Sequence, residues 1–164
     1  MKRILIYLLV LTLILPLFSC KRRKRTANTT RIERVSSNSV ITMRKAGGVY
    51  HVPCKINGTE MEFIFDTGAS DITMSLTEAI FLYKQGKLEE DDFVGVQQYQ
   101  IADGSIQEGT IVVLRSVEIG NKQLEKVRAS IIHNMEAPLL LGQSALAKFG
   151  KISIDYNRNE ITFE

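Results

Sequence analysis

One stretch constrains this chain most, an apolar run that ends in a carboxylate and a tight polar turn: Phe63-Ile64-Phe65-Asp66-Thr67-Gly68-Ala69-Ser70. A carboxyl group at the buried end of a strand is costly unless hydrogen bonds hold it. The Thr67 hydroxyl, the Gly68 backbone and Ser70 are candidate partners for Asp66. A carboxyl group held in this way is a candidate acid or base, because burial and neighbours set its pKa. The alternative is a surface turn after an edge strand, since Asp, Gly and Ser are ordinary turn residues.

The residues before this stretch predict a β-hairpin. Asn57-Gly58 is the preferred pair for a two-residue type I′ turn, and apolar residues alternate on both sides of it. One face of the hairpin is then almost wholly apolar, and the second strand delivers Asp66 at its end. The register predicts five cross-strand pairs: Ile56–Thr59, Lys55–Glu60, Cys54–Met61, Val52–Phe63 and Tyr50–Phe65.

The rest of the chain predicts further short strands and two short helices. A capping box at 75–78 begins a helix of about 76–85 that is closed by Gly86. Asp103-Gly104 predicts a two-residue turn and a second hairpin. Strands are predicted at 111–118 and 124–132, with a bulge or irregular pairing near 124–127, and two closing strands flank 157–159.

Two motifs together resemble the pepsin-like and retropepsin-like aspartic proteases. The catalytic loop of that family reads apolar-apolar-Asp-Thr/Ser-Gly-Ala/Ser, as residues 64–69 do here. A second signature, apolar-apolar-Gly before a helix, matches Leu140-Leu141-Gly142, and the resemblance covers about residues 44–164. It implies a mostly β fold, the closed β-barrel or sandwich lobe of the acid proteases with one or two short helices. The strand ending at Gly142 would thread behind the catalytic loop.

The resemblance also implies roles for individual residues. Asp66 would be catalytic, with its loop supported by Thr67, Gly68, Ala69 and Ser70. The second hairpin would be a flap that closes over bound peptide, formed by Ile101, Ala102, Asp103, Gly104 and Ser105; the alternative is an ordinary surface hairpin. The sequence departs from the retroviral members, which usually pair an Arg after the second signature with an acid. Gln143 and Ser70 hold those positions here, so no buried charge is left unpaired.

Aspartic protease chemistry needs two carboxylates about 3 Å apart that share one proton. The chain has a single Asp-Thr-Gly, and Asp71, Asp103 and Asp155 lack that context. The prediction is therefore an aspartic endopeptidase that is active as a homodimer, pairs Asp66 from two chains and cuts extended peptides. Two alternatives remain: a catalytically silent peptide-binding module, and a structural lipoprotein whose acid only stabilises a turn.

No cofactor, metal or nucleic-acid partner is predicted. His51 and His133 are isolated, and four adjacent acids at 89–92 are more typical of a solvated face or a helix start. The net charge is +3, and the block Lys21-Arg22-Arg23-Lys24-Arg25 alone carries five positive charges. The remainder gives no basis for nucleic-acid binding. Cys54 lies in an alternating apolar run and is interpreted as a small core residue.

The N-terminus predicts export. Residues 1–20 combine two basic residues, a short apolar run and Leu17-Phe18-Ser19-Cys20, which resembles a bacterial lipobox with Cys20 as the lipidated residue. A plainly cleaved signal and an uncleaved anchor are the alternatives, and the basic block after the run favours cytoplasmic retention. The expected organisation is a signal at 1–20, a basic polar tether at 21–42 and a protease domain at 43–164. The expected location is the bacterial cell envelope, on a membrane.

Overall fold

The computed structural model describes residues 38–100 and 103–164. The predicted signal, Cys20, most of the tether, and Ile101 and Ala102 of the flap lie outside the described residues. Among the described residues, no helix has the length and apolar character needed to cross a bilayer. The strands are β1 (Ser39–Thr42), β2 (Arg44–Ala46), β3 (Val49–Ile56), β4 (Thr59–Phe65), β5 (Ile72–Ser75), β6 (Phe93–Gln100), β7 (Ile106–Ile119), β8 (Lys122–Ile132), β9 (Leu140–Leu141), β10 (Ile152–Asp155) and β11 (Glu160–Phe163). The helices are α1 (Leu76–Lys84) and α2 (Gln143–Leu146), with a 3₁₀ turn at Glu90–Asp92.

Eight strands form one sheet that closes on itself. Their order is β2-β3-β4-β9-β5-β8-β7-β6, and β3 pairs additionally with β7. That extra pairing, Lys55 with Glu118 and Ile56 with Val117, joins the two strands next to the ends of the sheet and closes it into a barrel. A smaller sheet of order β1-β11-β10 completes the domain. The predicted mostly β, closed-barrel lobe with two short helices is confirmed.

The first hairpin has the predicted turn and register. Asn57 and Gly58 have φ values of 48° and 80°, as a type I′ turn requires. Val52 faces Phe63, Cys54 faces Met61 and Ile56 faces Thr59. Val52, Cys54, Ile56 and Phe63 are buried in the core. Strand β4 therefore leaves the barrel interior directly into residue 66.

Helix α1 begins at the predicted cap. The Ser75 hydroxyl accepts hydrogen bonds from the backbone N–H groups of Thr77 and Glu78 and contacts the Glu78 carboxylate. The chain leaves the helix through Gly86, which has φ +65°. Ala79 and Leu82 are the buried side chains of the helix. These caps satisfy backbone groups that a helix end would otherwise leave unpaired.

Strand β1 lies before the predicted start of the domain. Ser39 pairs with Phe163 and Thr42 with Glu160, so the described fold begins inside the segment that was predicted as a tether. Ser39 is only 5% exposed. Its hydroxyl accepts a hydrogen bond from the backbone N–H of Asn121, at the turn between β7 and β8. A four-residue strand of this kind is stabilised by distant partners, which a local pattern does not contain.

Of two predicted details of the long hairpins, the turn between β6 and β7 is wrong and the irregularity in β8 is confirmed. Gln100 pairs with Ile106, and this register leaves an odd number of residues between the two strands, which excludes the predicted two-residue turn at Asp103-Gly104. The Asp103 carboxylate accepts from the Ser105 N–H at 2.8 Å, which makes an Asx turn. In β8, the predicted irregularity is confirmed at Lys126, which has φ 52°. The register is the same on both sides of it, so no extra residue is inserted.

Candidate active site

Asp66 stands at the first position after β4, where the strand leaves the core. Its backbone N–H donates to the carbonyl of Leu141 at 3.3 Å, which extends the parallel pairing of β4 with β9. Its carboxylate accepts from the Gly68 N–H at 2.8 Å. Of the three partners predicted for this carboxylate, Gly68 is the one that reaches it among the described residues. A Cβ at Gly68 would lie 3.2 Å from that carboxylate oxygen, so the close approach favours glycine.

The loop after Asp66 is held through its carbonyl groups by the start of α2. The Ala69 carbonyl accepts from the Gln143 N–H at 2.9 Å, and the Ser70 carbonyl accepts from the Ser144 N–H at 2.9 Å. The Gln143 side chain donates to the Thr67 carbonyl at 3.0 Å. Thr67 and Ser70 thus contribute backbone oxygens to this network, and their side chains are exposed. Three loop residues, Thr67, Ala69 and Ser70, are fixed relative to α2, which gives Asp66 a defined direction.

The predicted strand behind the loop is present as β9. Leu140 pairs with Ile64 on one side and with Thr73 on the other, so β9 lies between the strands that enter and leave the loop. Leu141 is 1% exposed. Gly142 follows and caps α2. This is the arrangement that the second sequence signature predicted.

A groove runs between the loop at Asp66 and the β6–β7 hairpin. Its volume is about 1020 Å³. Asp66, Gly68 and Ser70 line one side of it, and Tyr99, Asp103 and Gly104 line the other. The predicted flap residues Asp103 and Gly104 therefore face the predicted catalytic residue. The Ser105 N–H and, second, its hydroxyl lower the pKa of the exposed Asp103 carboxyl below its usual range, so that carboxylate stays ionised at the edge of the groove.

A cluster around Asp71 adds to the site and was not predicted. Asp71 is 8% exposed. One of its oxygens accepts from the Ser130 hydroxyl at 2.9 Å and from the Arg128 Nε at 3.2 Å. The Tyr99 hydroxyl lies 2.5 Å from the Ser130 oxygen. The available sequence signal was Ser130 itself, a polar residue inside an otherwise apolar strand end, because buried polar side chains require partners.

The remaining sequence candidates have structural roles or lie apart from Asp66. The Asp155 carboxylate accepts from the backbone N–H groups of Asn157 and Arg158, which holds the closing turn. His133 contacts Thr110 at 2.8 Å. Burial raises the pKa of the Cys54 thiol to about 12, which makes it a poor nucleophile. In the described part of the chain, no group of three or more His, Cys, Asp or Glu side chains is placed to hold a metal ion.

Comparisons with known proteins agree with this geometry. The sequence model of the family described as "gag-polyprotein putative aspartyl protease" matches residues 52–148, more than half of the chain. A retropepsin-like aspartic protease from Rickettsia conorii has a similar fold, with a TM-score of 0.56 and 24% identity over 76% of this chain and 97% of that one. The retroviral protease-like domain of Ddi1 from Leishmania major also has a similar fold. Its TM-score is 0.50 and its sequence identity is 18%, over 71% of this chain and 88% of that one. Curated protein sequences gave no significant match.

The family match includes both the loop at Asp66 and the strand that ends at Gly142. The two solved structures share the fold that places these elements side by side. The chain therefore belongs to the gag-polyprotein aspartyl protease family and contains a retropepsin-like aspartic protease domain.

Proposed function

We propose that this protein is an aspartic endopeptidase that is active as a homodimer, with Asp66 of each chain forming the catalytic pair. The observation that carries the proposal is the position of Asp66: it stands on a loop fixed by β9 and α2 and faces a groove of about 1020 Å³ with the β6–β7 hairpin opposite. A groove of this shape suits a peptide in an extended conformation. The neighbouring chain supplies the second carboxylate that the chemistry requires.

The proposed chemistry uses the two carboxylates in different protonation states. Two carboxyl groups about 3 Å apart share one proton, because like charges that close do not both ionise. The ionised Asp66 takes a proton from a water molecule, and the protonated Asp66 of the second copy donates a hydrogen bond to the carbonyl oxygen of the scissile peptide bond. The activated water then attacks the carbonyl carbon, and the C–N bond breaks as the leaving nitrogen takes a proton from the carboxyl pair. The Gly68 N–H, 2.8 Å from Asp66, orients the carboxylate for this step.

The surface beside Asp66 supports pairing with a second copy. A shallow depression of about 290 Å³ on this side of the loop includes Asp66 and Thr67. Its other lining residues are mostly apolar or aromatic; we call them the Tyr50–Tyr156 surface: Met43, Gly48, Val49, Tyr50, Phe65, Ile154 and Tyr156. The rings of Tyr50 and Tyr156 lie 5.3 Å apart, and Tyr156 is 63% exposed. A second copy close enough to bring its own Asp66 alongside would cover these side chains, and interfaces are enriched in such aromatic residues.

The test compares the wild-type chain with Asp66→Asn on a peptide library, with the oligomeric state measured in parallel. We expect Asp66→Asn to remain folded and dimeric and to lose cleavage by about 10²–10⁴-fold, as expected for removal of an acid–base group. Asp91→Asn is the matched control, because it makes the same change in the exposed 3₁₀ turn and should leave cleavage unchanged. Cleavage that persists in Asp66→Asn contradicts the proposal. No cleavage by either protein, with peptide binding retained, favours a catalytically silent binding module, and the absence of both favours a structural lipoprotein.

We also propose that Cys20 is lipidated and anchors the protein to a membrane of the bacterial cell envelope. The support is the sequence alone: an apolar run that ends at Leu17-Phe18-Ser19-Cys20. An anchor on a surface would raise the effective concentration of the chains and favour the dimer. Labelling with an alkyne fatty acid should mark the wild type and leave Cys20→Ser unmarked. Equal labelling of both would exclude Cys20 as the attachment site.

A further inference from the structure

The residue that follows the catalytic loop is a buried carboxylate with three donors around it. Asp71 is 8% exposed, and a buried carboxylate is unfavourable unless hydrogen bonds compensate for the lost water. The Ser130 hydroxyl donates to it at 2.9 Å and the Arg128 Nε donates at 3.2 Å. Because Arg128 and Ser130 both lie on β8, they connect the end of the catalytic loop to that strand.

The Tyr99 side chain extends this network to the flap hairpin. Its hydroxyl lies 2.5 Å from the Ser130 oxygen and 3.5 Å from an Asp71 oxygen. The Ser130 hydroxyl gives its single proton to Asp71, so Tyr99 donates to the Ser130 oxygen. The chain of donors thus runs from Tyr99 on β6, through Ser130 on β8, to Asp71 at the end of the loop.

A glycine on the intervening strand makes room for the Tyr99 ring. Strand β7 lies between β6 and β8 in the sheet. A Cβ at Gly109 of β7 would lie 3.1 Å from the Tyr99 ring and 2.9 Å from the Ile131 carbonyl. The ring therefore passes over β7 at a position where a side chain would meet it. The Tyr99 hydroxyl of the edge strand β6 thereby reaches Ser130 on β8.

A second contact links the same strand to Asp71. The Arg128 guanidinium, which pairs with Asp71, also donates to the Gln97 side-chain oxygen. Gln97 and Tyr99 are two residues apart, so they lie on the same face of β6. Within β6, Tyr99 is half-buried, whereas the other seven residues of the strand are exposed. Strand β6 is an edge strand, and these contacts supplement its pairing with β7.

We propose that the Tyr99 hydroxyl, through Ser130 and Asp71, fastens the arm of the flap hairpin to the catalytic loop, which makes Tyr99 a positioning residue for the proposed peptide hydrolysis. The expected change in KM rests on the proposed function, whereas the expected change in hydrogen exchange of the hairpin does not. Tyr99 pairs with Gln107, so the fastened point includes both strands of the hairpin. The β6–β7 pairing at Tyr99 then keeps a fixed position relative to Asp66.

The test is Tyr99→Phe in the full chain, which keeps the ring over Gly109 and removes only the hydroxyl. Tyr83→Phe on α1 is the matched control, because Tyr83 is 46% exposed and lies outside the groove lining. Amide hydrogen exchange in 93–100 and 103–110 should become about 3- to 10-fold faster in Tyr99→Phe, as expected for one lost hydrogen bond, and should not change in Tyr83→Phe. In the same variant, KM for a cleaved library peptide should rise by about 3- to 10-fold while kcat stays within about twofold.

Ser130→Ala tests whether the Tyr99 hydroxyl acts on Asp71 through Ser130. If the Tyr99 hydroxyl acts through Ser130, the hydroxyl has little left to stabilise once Ser130 is removed. The amide exchange rates of the hairpin should then differ by less than about twofold between the double variant Tyr99→Phe/Ser130→Ala and Ser130→Ala alone. Additive effects would overturn the proposed path, and hairpin exchange equal to the Tyr83→Phe control would overturn the fastening itself. A wild type that cleaves no peptide contradicts the proposed function only, because the exchange measurement needs no substrate. Accelerated exchange with KM unchanged would overturn the positioning role.

Discussion

A Cβ atom at Gly142 would lie 2.1 Å from the carbonyl oxygen of Asp71. The same atom would lie 2.7 Å from the Ala69 carbonyl oxygen. Gly142 has φ −98° and ψ −172°, an extended conformation that any residue adopts, so the requirement for glycine is one of space. The end of strand β9 and the loop after Asp66 therefore approach each other at backbone-to-backbone distance.

This contact predicts that Gly142→Ala destabilises the fold. The added methyl group meets two backbone carbonyls that are themselves held in hydrogen-bonded segments, so relief requires the loop to move. We expect the free energy of unfolding to fall by about 3 kcal/mol, at the upper end of the cost of overpacking, with loss of any cleavage activity. Urea unfolding followed by circular dichroism measures the change.

Gly95→Ala is the matched control for that substitution. A Cβ at Gly95 would meet nothing within 4 Å, and its φ is not positive. We expect its stability to stay within about 0.5 kcal/mol of the wild type. Equal stability of the two variants would contradict the close approach at Gly142.

The Tyr50–Tyr156 surface predicts a dimer that one charge would weaken. Tyr156→Glu places a carboxylate in the depression that Asp66 and Thr67 also line, where a second copy would leave it unpaired and out of water. We expect the dissociation constant of the dimer to rise by at least about tenfold and cleavage to fall at protein concentrations near that constant. Sedimentation velocity over a concentration series measures the first, and peptide cleavage over the same series measures the second.

Tyr83→Glu is the control for the dimer prediction. Tyr83 is 46% exposed and has an aromatic neighbour, Phe93, at 6.1 Å, so it repeats the local change on another surface. It should leave the dissociation constant unchanged. A dimer that survives Tyr156→Glu but not Tyr83→Glu would place the interface around α1 and β6.

The buried thiol predicts a loss of stability at alkaline pH. Burial raises the pKa of Cys54 from 9.0 to about 12, so between these values the unfolded chain loses its proton and the folded chain keeps it. The contribution of Cys54 is therefore fully present below about pH 9 and is lost as the pH rises toward 12. Between pH 7 and 10 the wild type should lose about 1.4 kcal/mol more than Cys54→Ala, from the linkage relation. Urea unfolding of both proteins at the two pH values measures the difference, and parallel pH curves would contradict the burial.

The missing ion pair of the retroviral members can be tested by restoring it. Gln143→Arg alone loses the donor to the Thr67 carbonyl and should cost about 1 kcal/mol. Ser70→Asp in that background should recover about 0.5 kcal/mol, because the pair is exposed. A double-mutant cycle on unfolding free energies gives the coupling. A second cycle with Gln143→Glu in place of Gln143→Arg should give a coupling energy of the opposite sign. A coupling energy of the same sign in both cycles would show that the side chains at positions 143 and 70 do not meet.

Local patterns carried much of the fold. Asn57-Gly58 set both the turn and the register of β3 and β4, because a type I′ turn fixes which residues face each other. Ser75 and Gly86 likewise marked the two ends of α1. These features depend on neighbours in sequence, so the sequence contains their causes. The position of Asp66 after β4 followed from the same register.

Other features depend on residues that are distant in sequence. The bonds from Tyr99 and Ser130 to Asp71 span 28 and 59 residues. No spacing rule connects them, because they meet only when β6, β7 and β8 have assembled in that order. The register of β6 and β7 also differs from the predicted two-residue turn, and the Asp103 side chain closes an Asx turn of its own. Strand β1 was assigned to the tether because its partner is the far end of the chain.

The pairing of Ser39 with Phe163 sets a limit on where the leader can be removed. A protease that trims the N-terminus before residue 39 leaves every strand of the described residues in place. Removal through Thr42 strips one edge from β11, uncovers the Ile161 and Phe163 backbone, and empties the position that the Ser39 hydroxyl occupies beside Gly120. Maturation of this protein by processing, if it is to yield a folded domain, must therefore stop on the leader side of β1.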